Sequence, residues 1–278
     1  MRLTTAAFCL ILSAGVLAGA DKRNHSWSNP TPRDQLRDMA TDRPDTTESP
    51  ITVDAGHVQI ELSFFAYERD RHNPERDDVR TEVWSVMPVN IRAGLRHNLE
   101  LQLVVDNYVR AETRRASPGV RERVSGFGDV TVRVKRNFLG NDGGDTAVAL
   151  MPFVKVPANS GGVGNRHVEG GIILPVNFTL GGIGLAVMTE ADVVRNAADD
   201  GYTLTWLNTI THGFAVAGRL GAFVELASTT GEGRHALALN SGLTFALNPD
   251  LQLDCGVNLG LTRAAPDLAF FAGISRRF

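Results

Sequence analysis

From His57 to the C-terminus the chain alternates apolar and polar residues with a period of two, and no other feature limits its possible folds as severely. Leu251, Leu253, Cys255, Val257, Leu259 and Leu261 hold one parity, while Gln252, Asp254, Gly256, Asn258, Gly260 and Thr262 hold the other. In an extended strand these sets fall on opposite faces, whereas a helix would scatter both around its circumference. The pattern recurs at Leu99, Leu101, Leu103 and Val105, at Val130, Val132 and Val134, and at Val58, Ile60, Leu62 and Phe64. It predicts about 12 strands, near 57–69, 80–93, 98–109, 127–138, 145–157, 168–180, 183–195, 201–211, 214–228, 234–247, 250–262 and 267–278. Parity is least clear in the strands around Val83 and Thr203. Gly181-Gly182 and Asn248-Pro249 are turn signals.

Beyond the N-terminal residues there is no continuous apolar run long enough for a membrane helix. If such a chain spans a membrane it must do so as a closed barrel, because lipid offers backbone groups no other partner. Loop lengths support this choice. The connections 70–79, 110–126 and 158–167 are long, and 94–97, 139–144 and 181–182 are short. Transmembrane barrels sort their connections in this way, with short periplasmic turns and longer extracellular loops. A soluble secreted β-protein remains the alternative if the apolar faces pack on each other.

The N-terminus points to export. Met1-Arg2-Leu3 is a positive start, Thr5 to Leu17 is apolar or small, and Ala18-Gly19-Ala20 is an A-x-A cleavage site. Residues 1–20 therefore read as a signal peptide cleaved after Ala20. Only Cys255 then remains, so no intramolecular disulfide can form. The net charge of -3 argues against a nucleic-acid partner. Residues 21–55 are rich in Pro, Asp, Arg, Thr and Ser, with Pro30, Pro32, Pro44 and Pro50 interrupting regular structure. This arm reads either as a disordered tail or as a plug. Its charged candidates are Asp42, Arg43, Asp45 and Glu48. Asp42 or Asp45 is expected to meet Arg133, Lys135, Arg219 or Arg277, and Arg43 to meet Glu61 or Asp254. Residues 56–278 form the barrel.

Two faces follow from the parity. Phe138, Phe178, Phe214, Phe245 and Phe278 fall on the apolar parity at strand ends on the periplasmic side, where a girdle is expected. An outer girdle is weaker, marked by Phe270 and by Tyr202 and Trp206. The other parity supplies the lumen: Glu61, Glu100, Asp106, Asp129, Arg133, Lys135, Lys155, Glu169, Glu190, Asp192, Arg219, Glu225, Asp254 and Arg277. Both signs are abundant, and pairing across the lumen is the expected fate of most of these charges.

Several segments resemble a known family. Thr41-Asp42-Arg43-Pro44-Asp45-Thr46-Thr47-Glu48-Ser49-Pro50, followed by Val53-Asp54-Ala55-Gly56-His57 and Gln59-Ile60-Glu61, looks like an N-terminal signature. Gly126-Phe127-Gly128-Asp129-Val130 looks like a central one, and Gln252-Leu253-Asp254 with Asn258-Leu259-Gly260-Leu261-Thr262 leads into the last strand. Together they resemble the outer-membrane transporters named for the meta-pathway of phenol degradation, over roughly residues 40–278. The resemblance implies transport of aromatic or other apolar small molecules. A last strand ending in Phe278 resembles the signal read by the barrel assembly machinery.

Catalytic motifs are absent from the sequence. There is no H-E-x-x-H, C-x-x-C, G-x-S-x-G or H-x-S, and no metal or cofactor is expected. Loop residues His72, Asp77, Asp78 and His167 could meet, but solvated loops explain them. Gly161-Gly162-Val163-Gly164-Asn165 reads as a flexible loop. Two functions are left open: an outer-membrane channel or transporter for small molecules, and a non-conducting structural or receptor-like barrel. In either case the partners are outer-membrane lipid, the assembly machinery and, for the channel, a small solute.

Overall fold

The computed structural model describes residues 22–73, 79–115, 119 and 121–278. The signal segment, Asp77, Asp78 and the side chain of His72 lie outside the described residues. Thirteen strands follow the arm: β1 (Val58–Asn73), β2 (Val79–Arg96), β3 (Leu99–Arg115), β4 (Arg121–Gly126), β5 (Val130–Leu139), β6 (Thr146–Val156), β7 (Glu169–Leu180), β8 (Ile183–Arg195), β9 (Tyr202–Ala217), β10 (Leu220–Gly231), β11 (Arg234–Asn248), β12 (Leu251–Gly260) and β13 (Leu268–Arg277). Strand β3 pairs with both β4 and β5, Val109 facing Gly126 and Val105 facing Val130, so these two are halves of one stave. Every other strand pairs antiparallel with its sequence neighbours, and β1 pairs with β13 from Gln59–Arg277 to Arg69–Leu268. The result is a closed, twelve-stave antiparallel barrel. Closure removes the open edges that an extended sheet would expose. Among the described residues no helix is long and apolar enough to cross a membrane.

The period-two pattern works as its physics requires. Leu101, Leu103, Val132, Val134, Val154, Leu174, Leu226, Leu243 and Leu259 face outward and are exposed. Gln59, Glu61, Arg92, Glu100, Gln102, Lys135, Glu225 and Asn240 face inward and are buried. The apolar faces do not pack on one another; they form the outer wall. Phe138, Phe214, Phe245 and Phe278 are exposed, and these four with Phe178 sit near the mouth that carries the short turns and the C-terminus.

Two expectations are corrected. Of the connections expected at 70–79 and 110–126, residues 70–73, 79, 110–115 and 121–126 are strand, because β1, β2 and β3 continue for 16, 18 and 17 residues and β4 follows. The turn expected at 212–213 lies instead at Gly218-Arg219. Gly213 stays extended opposite Phe223, while Gly218 takes φ +55, so Phe214 belongs to the end of β9. The uneven parity near Val83 has a local cause. Met87 has φ +54 and β1 bulges between Ser63 and Phe65. Below this point Arg92 and Gly94 are buried; above it Trp84 and Val86 are exposed.

The loop between β6 and β7 is pinned. Asp129 accepts hydrogen bonds from the Asn159 side chain (2.6 Å) and the Asn165 backbone (2.8 Å), and Ser160 N–H donates to the Phe127 carbonyl (2.8 Å). The Gly126-Phe127-Gly128-Asp129 break between β4 and β5 is thus where this loop docks. Gly128 matters there because a Cβ would lie 2.5 Å from the Asp106 Cβ.

On the lumen wall the Phe271 ring lies over Gly256, where a Cβ would come within 2.5 Å of it. Gly256→Leu must displace that ring and should cost about 1–3 kcal/mol, the usual penalty for overpacking. A lowered midpoint for the heat-induced gel-mobility shift of the folded barrel would register this, and an unchanged midpoint would contradict the packing.

Candidate functional site

The arm lies inside the barrel. Its described residues hold two single turns of 3-10 helix, Lys22–Asn24 and Arg33–Gln35, so most of their backbone N–H and C=O groups lack regular partners. The lumen supplies them. Glu61 accepts the Asp42 N–H (3.1 Å), and Glu225 accepts those of Thr46 (3.0 Å) and Thr47 (2.8 Å). Glu100 accepts the N–H of Val53 (2.6 Å). Carbonyls are met by donors: Arg92 reaches Ala40 (2.9 Å) and Ile51 (3.1 Å), and Asn137 reaches Pro50 (2.9 Å).

Side-chain charges close the same network. Arg92 is fully buried and bonds Glu61 (2.7 Å) and Glu100 (2.9 Å). Lys135, also fully buried, bonds Asp42 at 2.7 Å, and Arg133 bonds Glu48 at 2.5 Å. Arg43 reaches across to Asp254 (2.6 Å), donates to Ser63 (2.6 Å), and lies over the Phe271 ring. Asp45 stands near Glu225; burial, and then that neighbouring carboxylate, push its carboxyl up to about 7.

The arm is also anchored at the short-turn mouth. Arg37 spans Asp54 (3.2 Å) and Asp142 (2.9 Å), and Arg277 donates to the Arg37 carbonyl (2.7 Å). One His57 ring nitrogen lies 2.8 Å from the Phe278 carbonyl oxygen and the other 2.8 Å from that of Thr31. The chain crosses Gly94 so closely that a Cβ there would lie 2.1 Å from the Asp54 carbonyl oxygen.

The candidates from sequence therefore separate into groups. Glu61, Glu100, Lys135, Arg133, Glu225 and Asp254 touch the arm residues Asp42, Arg43, Glu48, Thr46, Thr47 and Val53. Arg277 serves the mouth. Asp129, Lys155 (3.6 Å from Asp129) and Glu169, which accepts the Arg195 N–H (2.9 Å), organise the long-loop end. Asp106, Glu190 and Asp192 are half-buried on the wall. Arg219 is a correction: it is exposed in the β9–β10 turn and donates to the Leu247 carbonyl, so it takes no part in the network. His167 pairs with Asp199 at 3.3 Å.

Sequence reading missed Arg92, the hub, because it lies on the strand whose parity changes at Met87. It also missed an apolar cluster on the lumen wall: Met151, Ile173 and Met188, with Phe153 and Leu207 against it. Below this cluster, between the arm and β5–β9, a vestibule of about 1740 Å³ opens at the short-turn mouth, lined by Met39, Ala40, Ile51, Ala147, Ala186 and Thr211 among others. Ala147, Ala149 and Met151 are successive inward positions of β6, so the cluster stands directly above the vestibule.

Removing one member of a buried ion network leaves the others uncompensated, typically at about 3–5 kcal/mol. Arg92→Leu is expected to cost that much in a urea titration and to expose the arm to protease. Asp42→Asn combined with Lys135→Met should cost less than Lys135→Met alone. Additive costs would mean that the pair is not coupled.

No curated protein matches the chain. Among solved structures, the β domain of the Bordetella autotransporter BrkA is similar with a TM-score of 0.46 and 12% identity, over 79% of this chain and 98% of that one. The translocator domain of NalP from Neisseria meningitidis gives 0.43 and 10%, over 80% and 88%. The CymD monoaromatic hydrocarbon channel gives 0.39 and 9%, also over 80% and 88%. Residues 41–278 match the family described as "Putative MetA-pathway of phenol degradation", a span that takes in the arm from Thr41 onward and the whole barrel, and the chain belongs to that family.

Proposed function

We propose that this is an outer-membrane barrel that conducts small, apolar or aromatic molecules, with its arm restricting the lumen at the short-turn mouth. One observation carries the reading: an apolar outer wall surrounds a charged lumen that holds a non-covalently bound segment of the same chain. An exterior band of this kind is far larger than the patches soluble monomers expose, and a bilayer is the solvent that suits it. The short-turn mouth is then periplasmic, as for other such barrels. Twelve staves lie between packed eight-stranded barrels and open sixteen-stranded ones, so a displaced arm leaves room for a narrow passage. The vestibule leads to the Met151–Ile173–Met188 cluster, whose surface favours uncharged solutes, in keeping with the family's description. The second reading, a barrel that never conducts, is favoured by the number of buried ion pairs that hold the arm.

Planar-bilayer recording separates the two. Deleting residues 21–50 should raise single-channel conductance in a barrel that still shows heat-modifiable migration; unchanged, near-zero conductance would establish the non-conducting barrel. Membrane residence has its own test. Leu243 faces outward on β11, between the level of Phe245 and that of Val257, the partner of Phe270, and Thr244 faces inward. Leu243→Arg should cost about 2–4 kcal/mol, as a charge on the lipid face does near the midplane, and Thr244→Arg should cost less. The reverse order would refute the assignment of faces.

A further inference from the structure

The outer wall changes character at the long-loop end. Register carries one face across four strands: Phe270 pairs with Tyr67, Tyr67 with Trp84, and Trp84 with Arg110. Directly opposed residues share a face. Phe270 is outward, because β13 turns Gly273 and Ser275 toward the lumen and the alternate Phe271 lies under Arg43. The rings of Tyr67 and Trp84 are 4.5 Å apart, those of Tyr67 and Phe270 5.1 Å, and those of Phe65 and Phe270 6.0 Å. This is the outer aromatic band that the sequence only hinted at.

Directly beyond it, the same face becomes cationic. Glu112 and Arg114 follow Arg110 at the same parity, and Arg123 and Arg121 stand opposite them on β4. Glu112 accepts from Arg114 (2.6 Å), Arg121 (2.7 Å) and Arg123 (3.0 Å), with Arg110 4.0 Å away. Its side chain is only 9% exposed, whereas the four arginines are 43–53% exposed. One carboxylate thus gathers four guanidinium groups without neutralising them. Arg80, paired with Glu82, adds another arginine to the face, Glu82 being the cross-strand partner of Glu112. Each guanidinium has five N–H donors, most of them left for a ligand.

We propose that this cluster binds the phosphate groups of an outer-leaflet glycolipid. The inference rests on the reading of the barrel as a membrane protein. Interfacial aromatic rings mark headgroup depth, and a strand rises about 3.3 Å per residue, so Arg114 lies about 13 Å along the strand from Arg110 and, with the usual barrel tilt of about 40°, about 10 Å above the level of Trp84. The guanidinium groups therefore span the depth at which lipid phosphates lie. Planar forks suit bidentate contact with phosphate oxygens. The cluster faces outward from the wall, continuous with the aromatic band, and so addresses the surrounding lipid and not a solute in the lumen.

Native mass spectrometry of the full-length mature protein in detergent tests this, with bisphosphorylated lipid A, dephosphorylated lipid A and phosphatidylethanolamine as probes. The wild type should retain the bisphosphorylated lipid about tenfold better than the others, equivalent to about 1.4 kcal/mol. Arg110→Gln/Arg114→Gln/Arg121→Gln/Arg123→Gln should abolish that preference, and Arg136→Gln, at the opposite end of the wall, should keep it. Should the quadruple variant not fold, Arg121→Gln/Arg123→Gln on β4 should still lower the preference severalfold. Equal retention of dephosphorylated lipid, an unaffected variant, or displacement of the lipid by millimolar inorganic phosphate would each overturn the proposal. Failure of the membrane reading itself would show separately, as a protein that stays monodisperse without detergent.

Discussion

A backbone without secondary structure cannot be buried unless something else satisfies its amides, and in this protein the inward carboxylates of the barrel do so. Glu61, Glu100 and Glu225 each accept N–H groups from the arm. An anionic acceptor makes a stronger bond than a neutral one, but three buried carboxylates would be intolerable alone. Arg92 bonds Glu61 and Glu100, Lys135 bonds Asp42, and Glu225 is met by neutral donors, the N–H groups of Thr46 and Thr47 and the side-chain amide of Asn240. The lumen is charged because its occupant is a peptide chain, and the pairs run between wall and arm as much as across the wall.

Much of this was legible in the sequence. Strand number, inward and outward faces and the group of phenylalanines at one mouth all follow from a period of two, which the pleat enforces residue by residue. Pairing of Asp42 with Lys135 and of Arg43 with Asp254 was accessible as charge complementarity between a tethered segment and the lumenal parity. Where local geometry departs from the repeat, the sequence misleads. Met87 adopts a left-handed backbone with a side chain that gives no warning, and the face of β2 changes there. Gly213 imitates a turn that Gly218 makes. The apolar cluster was hidden for a different reason: Met151, Ile173 and Met188 sit at inward positions that the rule reserves for polar groups.

On the proposed membrane reading, the long strands β1 to β3 extend the same logic beyond the bilayer. About 9–11 residues suffice to cross it, and the surplus lies at the long-loop end. There the wall is no longer constrained to be apolar, so Arg110, Glu112 and Arg114 can occupy positions that lower down belong to Leu101 and Leu103. Like-charged Glu82 and Glu112 are direct neighbours in this region, a placement that is unfavourable unless cations surround it.

His57 links the start of β1 to both Phe278 and Thr31, so the seam between first and last strands is also the point at which the arm enters. The arm's partners are spread along the chain: Glu61 lies 19 residues from Asp42 and Glu100 lies 47 from Val53, whereas Glu225 lies 178 from Thr47 and Asp254 lies 211 from Arg43. The arm therefore ties β1 and β3 to β10 and β12 across the lumen, a non-covalent strut between walls that share no ladder.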